Sequence, residues 1–340
     1  HMALNRSDAA LIKAAGGKPR MALGRTLDPR FQFIEAQSRK QPTPAVMTAD
    51  IGRAGTRQLV QLFGGKLDRG IRSEATAVPA DGRQIPARIY WPQLQDDAAP
   101  LMVFYHFGGG VVGDLDTCHA FCGMLAGASG GPVLSVDYRL APEHRWPAGI
   151  TDALDSFRWA AANASRFGAP AGRAGVGGDS MGGNFAAIVA QEMRRTGGPL
   201  PLVQLLIYPA TDVASETPSM TALSDCFPLT AQTMAWFMSQ YLPEGADPGD
   251  RLLSPARSGA LSGLPPALIY TAGFDPLVDQ GAAYAEALRG AGVEVTYRCY
   301  DSLAHGFTAF TGAVPAAERA CRTIAAETAT ALKAASQARP

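Results

Sequence analysis

Ser180 stands in Gly177-Gly178-Asp179-Ser180-Met181-Gly182-Gly183, between an apolar run, Ala174 to Gly178, and a helical pattern that begins near Gly182. A serine with glycines two residues before and two after suits a sharp strand-to-helix turn, because the glycines remove side chains that would collide as the chain reverses. Such a turn lifts the hydroxyl clear of a sheet edge. It also sets the unpaired N–H groups of a helix start where negative charge develops during acyl transfer. Near neutral pH a hydroxyl is a poor nucleophile and needs a base, for which histidine has a suitable ordinary pKa. Apart from His1 the chain holds His106, His119, His144 and His305. His305, in Leu303-Ala304-His305-Gly306-Phe307, follows the strand pattern Val293 to Tyr300 and so belongs at its carboxyl end, the end that also bears Ser180. The acid that orients the base is found in Gly273-Phe274-Asp275-Pro276-Leu277-Val278-Asp279, directly after the pattern Ala267 to Ala272. Asp275 is also expected to cap the following helix, with Pro276 at its first position. Asp279 lies one turn further in and points along that helix, so Asp275 is the better acid.

Attack on a carbonyl creates an oxyanion, and one preorganised donor to it is typically worth about 2.7 to 4 kcal/mol of barrier. The N–H of Met181 is one donor by construction. His106-Phe107-Gly108-Gly109-Gly110 supplies others after the run Leu101 to Phe107, since glycines let bare backbone approach a substrate oxygen; Gly108 and Gly109 are the candidates. The stretch Gly108-Gly109-Gly110-Val111-Val112-Gly113 also satisfies the Gly-x-Gly-x-x-Gly pattern of dinucleotide sites, with Asp137 ending the next strand. Asp114 and Asp116 argue against a nicotinamide oxidoreductase, because they place carboxylates where a pyrophosphate needs a positive helix start. Cys118, His119 and Cys122 lack a second ligand cluster that would complete a tetrahedral metal site, and read as one face of a helix.

These groups need a scaffold, and 340 residues with 47% apolar composition are ample for a large core. Eight strand patterns are expected: Ile71 to Val78, Gln84 to Trp91, Leu101 to Phe107, Val133 to Tyr138, Ala174 to Gly178, Val203 to Tyr208, Ala267 to Ala272 and Val293 to Tyr300. Helical patterns over Ile150 to Arg166, Gly182 to Arg195, Pro276 to Ala291 and Ala316 to Ala335 alternate with them, the sign of an α/β fold with a mostly parallel sheet. The first two strands, joined by Pro79-Ala80-Asp81-Gly82, form an antiparallel hairpin at one edge. Helix-rich residues 1–62, with no convincing strand, and an insertion at 211–257 are read as a cap over the carboxyl edge. The catalytic domain then comprises 63–210 and 258–340.

Thirty Lys+Arg balance thirty Asp+Glu, which disfavours a nucleic-acid or membrane-surface partner. The first thirty residues do not read as a signal peptide, and no run of eighteen apolar residues marks a membrane span. Five scattered cysteines fit reduced thiols and a cytoplasmic location.

Taken together, the segments His106 to Asp114, Asp137 to Glu143, Gly178 to Gly182, Asp275 to Asp279 and His305 to Phe307 resemble the hormone-sensitive-lipase-like α/β-hydrolases. These are the bacterial family IV esterases, here the subfamily with a Gly-Asp-Ser-Ala-Gly elbow. The likeness covers roughly Pro100 to Phe307. It implies an eight-stranded sheet with a helical cap, the triad Ser180, Asp275 and His305, and an oxyanion hole at Gly108, Gly109 and Met181. It further implies hydrolysis of short- to medium-chain acyl esters without cofactor or metal, and a homodimer through the last strand. An amidase, deacetylase or lactonase would use the same triad, whereas a non-catalytic small-ligand receptor would have lost the base that His305 supplies. The chain departs from the family pattern at Phe107, where glycine is usual, at Gly110, where an aromatic is common, and at Met181, where alanine is common. Phe107 and Asp179 are the candidate substrate-pocket residues, and Phe107 is expected to narrow the acyl or alcohol pocket.

Overall fold

The structure, a computed structural model, describes residues 2–40 and 46–338; positions 1, 41–45 and 339–340 of the expected segments lie outside them. Eight strands form one sheet: β1 Ile71–Ala80, β2 Arg83–Pro92, β3 Leu101–Tyr105, β4 Val133–Val136, β5 Ala174–Asp179, β6 Gln204–Ile207, β7 Ala267–Phe274 and β8 Val295–Ala304. Their spatial order is β1-β2-β4-β3-β5-β6-β7-β8. Only β1 with β2 and β2 with β4 run antiparallel; the remaining pairs are parallel. Helices α1 Asp8–Ala14, α2 Pro29–Ser38 and α3 Ala49–Phe63 precede the sheet, and α4 His119–Ser129, α5 Ala148–Ala162 and α6 Met181–Thr196 connect its strands. Two shorter helices, α7 Pro218–Ala222 and α8 Ala231–Tyr241, lie between β6 and β7, followed by α9 Val278–Gly290 and α10 Pro315–Ala338.

Strands covered on both faces must be apolar at every position, which is why Leu101-Met102-Val103-Phe104-Tyr105 shows no alternation. Leu101, Val103 and Tyr105 enter one core with Phe157, Phe185 and Ile188. Met102 and Phe104 enter the other with Phe121 and Ile324. The edge strand β1 alternates instead, and only Val78 in it is fully buried.

Element ends shift by a few residues throughout, and three differences from the sequence expectation stand out. Strand β8 continues through the polar Asp301-Ser302 pair to Ala304 by way of a register shift against β7, so His305 follows it at once. The reason is tertiary: the Asp28 N–H donates to Ser302 O, and Arg25 pairs with Asp301 at 3.0 Å, so a stretch that reads as a turn is held extended. Second, the N-terminal part does contain strands, a two-residue hairpin of Met21–Ala22 and Arg25–Thr26 turned by Leu23 and Gly24 at φ 49° and 73°. Third, β1 and β2 extend towards each other, leaving Asp81-Gly82 as the turn, with Gly82 at φ 65°.

The helix-rich residues before β1 and between β6 and β7 touch one another. Arg20 pairs with Glu35 and, at 2.7 Å, with Asp225; Arg39 reaches Asp225 at 3.0 Å; and the Trp236 ring N–H donates to Met47 O at 2.9 Å. No helix among the described residues is long and apolar enough to cross a membrane.

Asp152 of α5 carries a different burden. It is 1% exposed, and it accepts from Arg83 Nε at 2.9 Å and from Arg139 Nε and backbone N–H, both at 2.9 Å, joining the start of β2 to the segment after β4. Removing it leaves the Arg139 N–H and guanidinium without their acceptor, while Arg83 keeps Asp155 and both arginines stay partly exposed. Asp152→Ala is therefore expected to lower unfolding free energy by about 1 to 3 kcal/mol, read as a fall in urea midpoint; an unchanged midpoint would refute this role.

Candidate active site

Ser180 occupies the turn between β5 and α6 at φ 55°, ψ −115°, a backbone region that side-chain-bearing residues seldom enter. Its N–H donates to Ile207 O at 2.8 Å, and its carbonyl accepts from the N–H groups of Asn184 and Ala210. The flanking glycines explain why the turn closes. A Cβ on Gly178 would strike the carbonyls of Gly182 and Tyr105, and one on Gly182 would strike those of Tyr105 and His106. The helix thus starts in direct backbone contact with β3, and the Met181 N–H is its first, one of the donors that a helix start leaves without an intrahelical partner.

Three side chains from three loops converge here. Ser180 Oγ lies 2.9 Å from His305 Nε2, and His305 Nδ1 lies 2.8 Å from Asp275 Oδ2. All three are buried: Ser180 is 8% exposed, His305 6% and Asp275 0%. A carboxylate only accepts, so Nδ1 carries the ring hydrogen and Nε2 keeps its lone pair towards the serine. The other Asp275 oxygen accepts from the Leu277 N–H at 2.8 Å. Asp275 is not the helix N-cap expected from the sequence: α9 begins at Val278 with Leu277 at the cap, and Asp275 instead opens the turn before it. Asp279 accepts from the Ser219 N–H at 2.8 Å and so fastens α7 rather than His305.

The glycine loop after β3 is turned so that side chains are excluded. Gly108, Gly109 and Gly110 have φ of 129°, 62° and 71°. The Gly108 carbonyl accepts from Val111 and Val112, and that of Gly110 from Ala141. Tyr138 braces the loop from below: its hydroxyl donates to His106 O at 2.7 Å and its ring stacks on His106 at 4.4 Å. From above, the α8 rings of Phe237 and Tyr241 lie where Cβ atoms of Gly109 and Gly110 would be.

Arg53, on α3, was not among the residues picked out by sequence. Its guanidinium donates to Val111 O and Ala141 O, each at 3.0 Å, and forks onto Glu143 at 2.9 and 2.6 Å. The pairing holds the Glu143 carboxyl down at about 2. One side chain thereby ties α3 to both the glycine loop and the Asp137 to Glu143 segment. Asn184 is a second such residue, donating from α6 to Ala210 O at 2.7 Å and Leu253 O at 2.8 Å.

Asp179 corrects an expectation. It does not line a pocket: it is 0% exposed, and Oδ2 lies within hydrogen-bond distance of the Tyr208 and Thr308 hydroxyls, at 2.8 and 2.7 Å. As the last residue of β5, it turns its carboxyl group towards Tyr208 and Thr308. Phe107 is half-buried against the core on the α4 and α10 face, and its carbonyl accepts from His106 Nδ1 at 2.7 Å. Cys118 and Cys122 are buried, Cys118 lying 3.3 Å from Ser135 Oγ, while His119 Nδ1 bonds the Tyr90 hydroxyl at 3.0 Å.

A family model for the alpha/beta hydrolase fold matches residues 102–309. The carboxylic ester hydrolase LipN of Mycobacterium tuberculosis is 45% identical over 295 residues, spanning 84% of this chain and 77% of its own. The ethyl acetate hydrolase of Pseudomonas putida is 37% identical over 293 residues, spanning 84% of this chain and 92% of its own. Among solved structures, an ester hydrolase from the metagenome of Lake Arreo superimposes with a TM-score of 0.83 at 37% identity, covering 89% of this chain and 98% of that one.

Within the turn, Gly182 is the glycine whose Cβ would come closest to fixed backbone. Gly182→Ala drives a methyl into the fixed Tyr105 carbonyl, and the expected loss is about 1 to 3 kcal/mol in urea unfolding; a variant as stable as the parent would show that the turn has slack.

Proposed function

Because the chain belongs to the hormone-sensitive-lipase-like esterases of the α/β-hydrolase superfamily and is a carboxylic ester hydrolase, we propose that Ser180, His305 and Asp275 perform that hydrolysis through an acyl-enzyme. The observation that carries this reading is the unbroken chain from Ser180 Oγ through both nitrogens of His305 to Asp275. In it, the Ser180 oxygen attacks the ester carbonyl while its proton passes to His305 Nε2. Asp275 holds the Nδ1–H and stabilises the imidazolium that forms. The N–H groups of Gly108, Gly109 and Met181 receive the charge on the carbonyl oxygen. Collapse of the tetrahedral intermediate expels the alcohol, which takes the Nε2 proton. Water then attacks the acyl-serine with His305 again as base, releasing the acid and restoring Ser180.

Short- to medium-chain acyl esters are the substrates that suit this site. Phe237 and Tyr241 crowd the glycine loop with rings, and one relative is named for ethyl acetate. Residues 1–62 and 211–257 act as the cap in this reading, supported by their mutual contacts and by α8 resting on the loop. The edge of β8, where exposed Thr296 and Arg298 alternate with half-buried Tyr297 and Cys299, is the surface through which two copies pair as a homodimer. Five unpaired cysteines suit the reducing cytoplasm.

The direct test is turnover of a chromogenic short-chain ester. Ser180→Ala is expected to abolish it, and Asp275→Asn to cost on the order of 10⁴ in kcat if the serine-protease precedent transfers; a folded Ser180→Ala protein with undiminished turnover would overturn the assignment. Phe107→Gly is expected to shift the preferred acyl or alcohol length upward across a series of nitrophenyl and alkyl esters, and an unchanged profile would remove Phe107 from the pocket.

A further inference from the structure

Behind the catalytic turn lies a group that the mechanism above does not use. Asp179 is completely buried, its Oδ1 has no hydrogen-bond partner, and its Oδ2 meets two neutral hydroxyls, those of Tyr208 and Thr308. Those hydroxyls are themselves only 2.5 Å apart, so three oxygens form a closed triangle with edges of 2.8, 2.7 and 2.5 Å. Each edge requires one hydrogen, and two hydroxyls supply only two. The third must sit on the carboxyl group. An ionised carboxylate would also leave a charged oxygen buried without a donor, a costlier arrangement than the orphaned carbonyl of a neutral acid. The titratable groups facing it are the imidazoles of His305 and His106, the phenols of Tyr208 and Tyr138 and the thiols of Cys122 and Cys321. Burial pushes the Asp179 carboxyl up, against the hydroxyl bonds and imidazoles that favour its charged form.

The triangle joins the parts that must stay in register. Asp179 precedes Ser180, Thr308 follows His305 by three residues, and Tyr208 directly follows β6 with a strained φ of 36° and its ring 4.8 Å from that of His305. We propose that Asp179 is a neutral carboxylic acid and that the Asp179–Tyr208–Thr308 ring is a positioning device locking the His305 loop to the nucleophile turn. This rests on the triad reading given above.

Three variants of the full chain test it, each read for kcat, KM and the pH dependence of kcat/KM on a nitrophenyl acetate. Asp179→Asn keeps shape and neutrality, Asp179→Ala removes the ring, and Thr308→Val deletes one bridging hydroxyl. The acid limb of the profile is expected to stay within about 0.3 pH unit of the parent in Asp179→Asn. In Asp179→Ala and Thr308→Val kcat is expected to fall on the order of tenfold or more with KM little changed, the pattern of a displaced catalytic group. A limb moved down by about one unit or more in Asp179→Asn would reveal a lost negative charge beside the imidazole and overturn the neutral assignment. Parental kcat in Asp179→Ala and Thr308→Val would overturn the positioning role. Should the Asp179 variants fail to fold, infrared difference spectra between the parent and Tyr208→Phe decide: a perturbed protonated-carboxyl carbonyl band supports the proposal, and carboxylate bands alone refute it. Failure of the triad reading is separate, since it shows as turnover in Ser180→Ala.

Discussion

The backbone of Ser180 is held at φ 55°, ψ −115°, where a non-glycine residue costs on the order of 1 to 3 kcal/mol unless its surroundings dictate it. They do so here through three backbone hydrogen bonds, to Ile207, Asn184 and Ala210, and through glycines that bring α6 into contact with β3. The turn lies at the centre of the sheet, on β5 between β3 and β6, where the neighbouring strands are buried on both faces. Rigidity at that point fixes the Ser180 oxygen and the Met181 N–H together. Every other group in the site is placed by reference to it, and from the carboxyl ends of strands in the same sheet.

The second constraint is the hold of the helical layer on the glycine loop. Left-handed glycines give a loop little intrinsic stiffness, so its shape has to be imposed from outside. Tyr138 supports it from the sheet side, Arg53 clamps its Val111 carbonyl from α3, and Phe237 and Tyr241 press on it from α8. The family's aromatic is missing at Gly110, and Tyr241 of α8 occupies the space beside that glycine. The layer over the carboxyl ends is therefore part of the wall around the nucleophile, and its movement would be felt in the loop.

Much of this was legible in the sequence because the chemistry is rare and the punctuation strong. Besides His1 only four histidines exist, one of them, His305, in the short segment after an alternating strand pattern, and the elbow glycines have no bland substitute that the backbone contacts would tolerate. Parallel strands could be located from apolar runs such as Leu101 to Tyr105 and Leu205 to Tyr208, since burial on both faces erases alternation. What stayed hidden depends on partners far along the chain. Arg53 looks like any arginine of an amphipathic helix until it meets Val111 and Glu143. Asp179 sits inside the most recognisable segment, yet its direction is decided by Tyr208 and Thr308, 29 and 129 residues away. The end of β8 is hidden for the same reason, because Arg25 and Asp28 hold extended a stretch whose own composition favours a turn.

The most direct measurement is a crystal structure of the protein after reaction with an alkyl nitrophenyl phosphonate, whose tetrahedral phosphorus imitates the acylation intermediate. The account predicts a covalent bond from phosphorus to Ser180 Oγ, with the phosphonyl oxygen in hydrogen-bonding reach of the Gly108, Gly109 and Met181 N–H groups and His305 Nε2 turned to the leaving-group side. An adduct on another residue, or a phosphonyl oxygen directed away from the glycine loop into solvent, would contradict it.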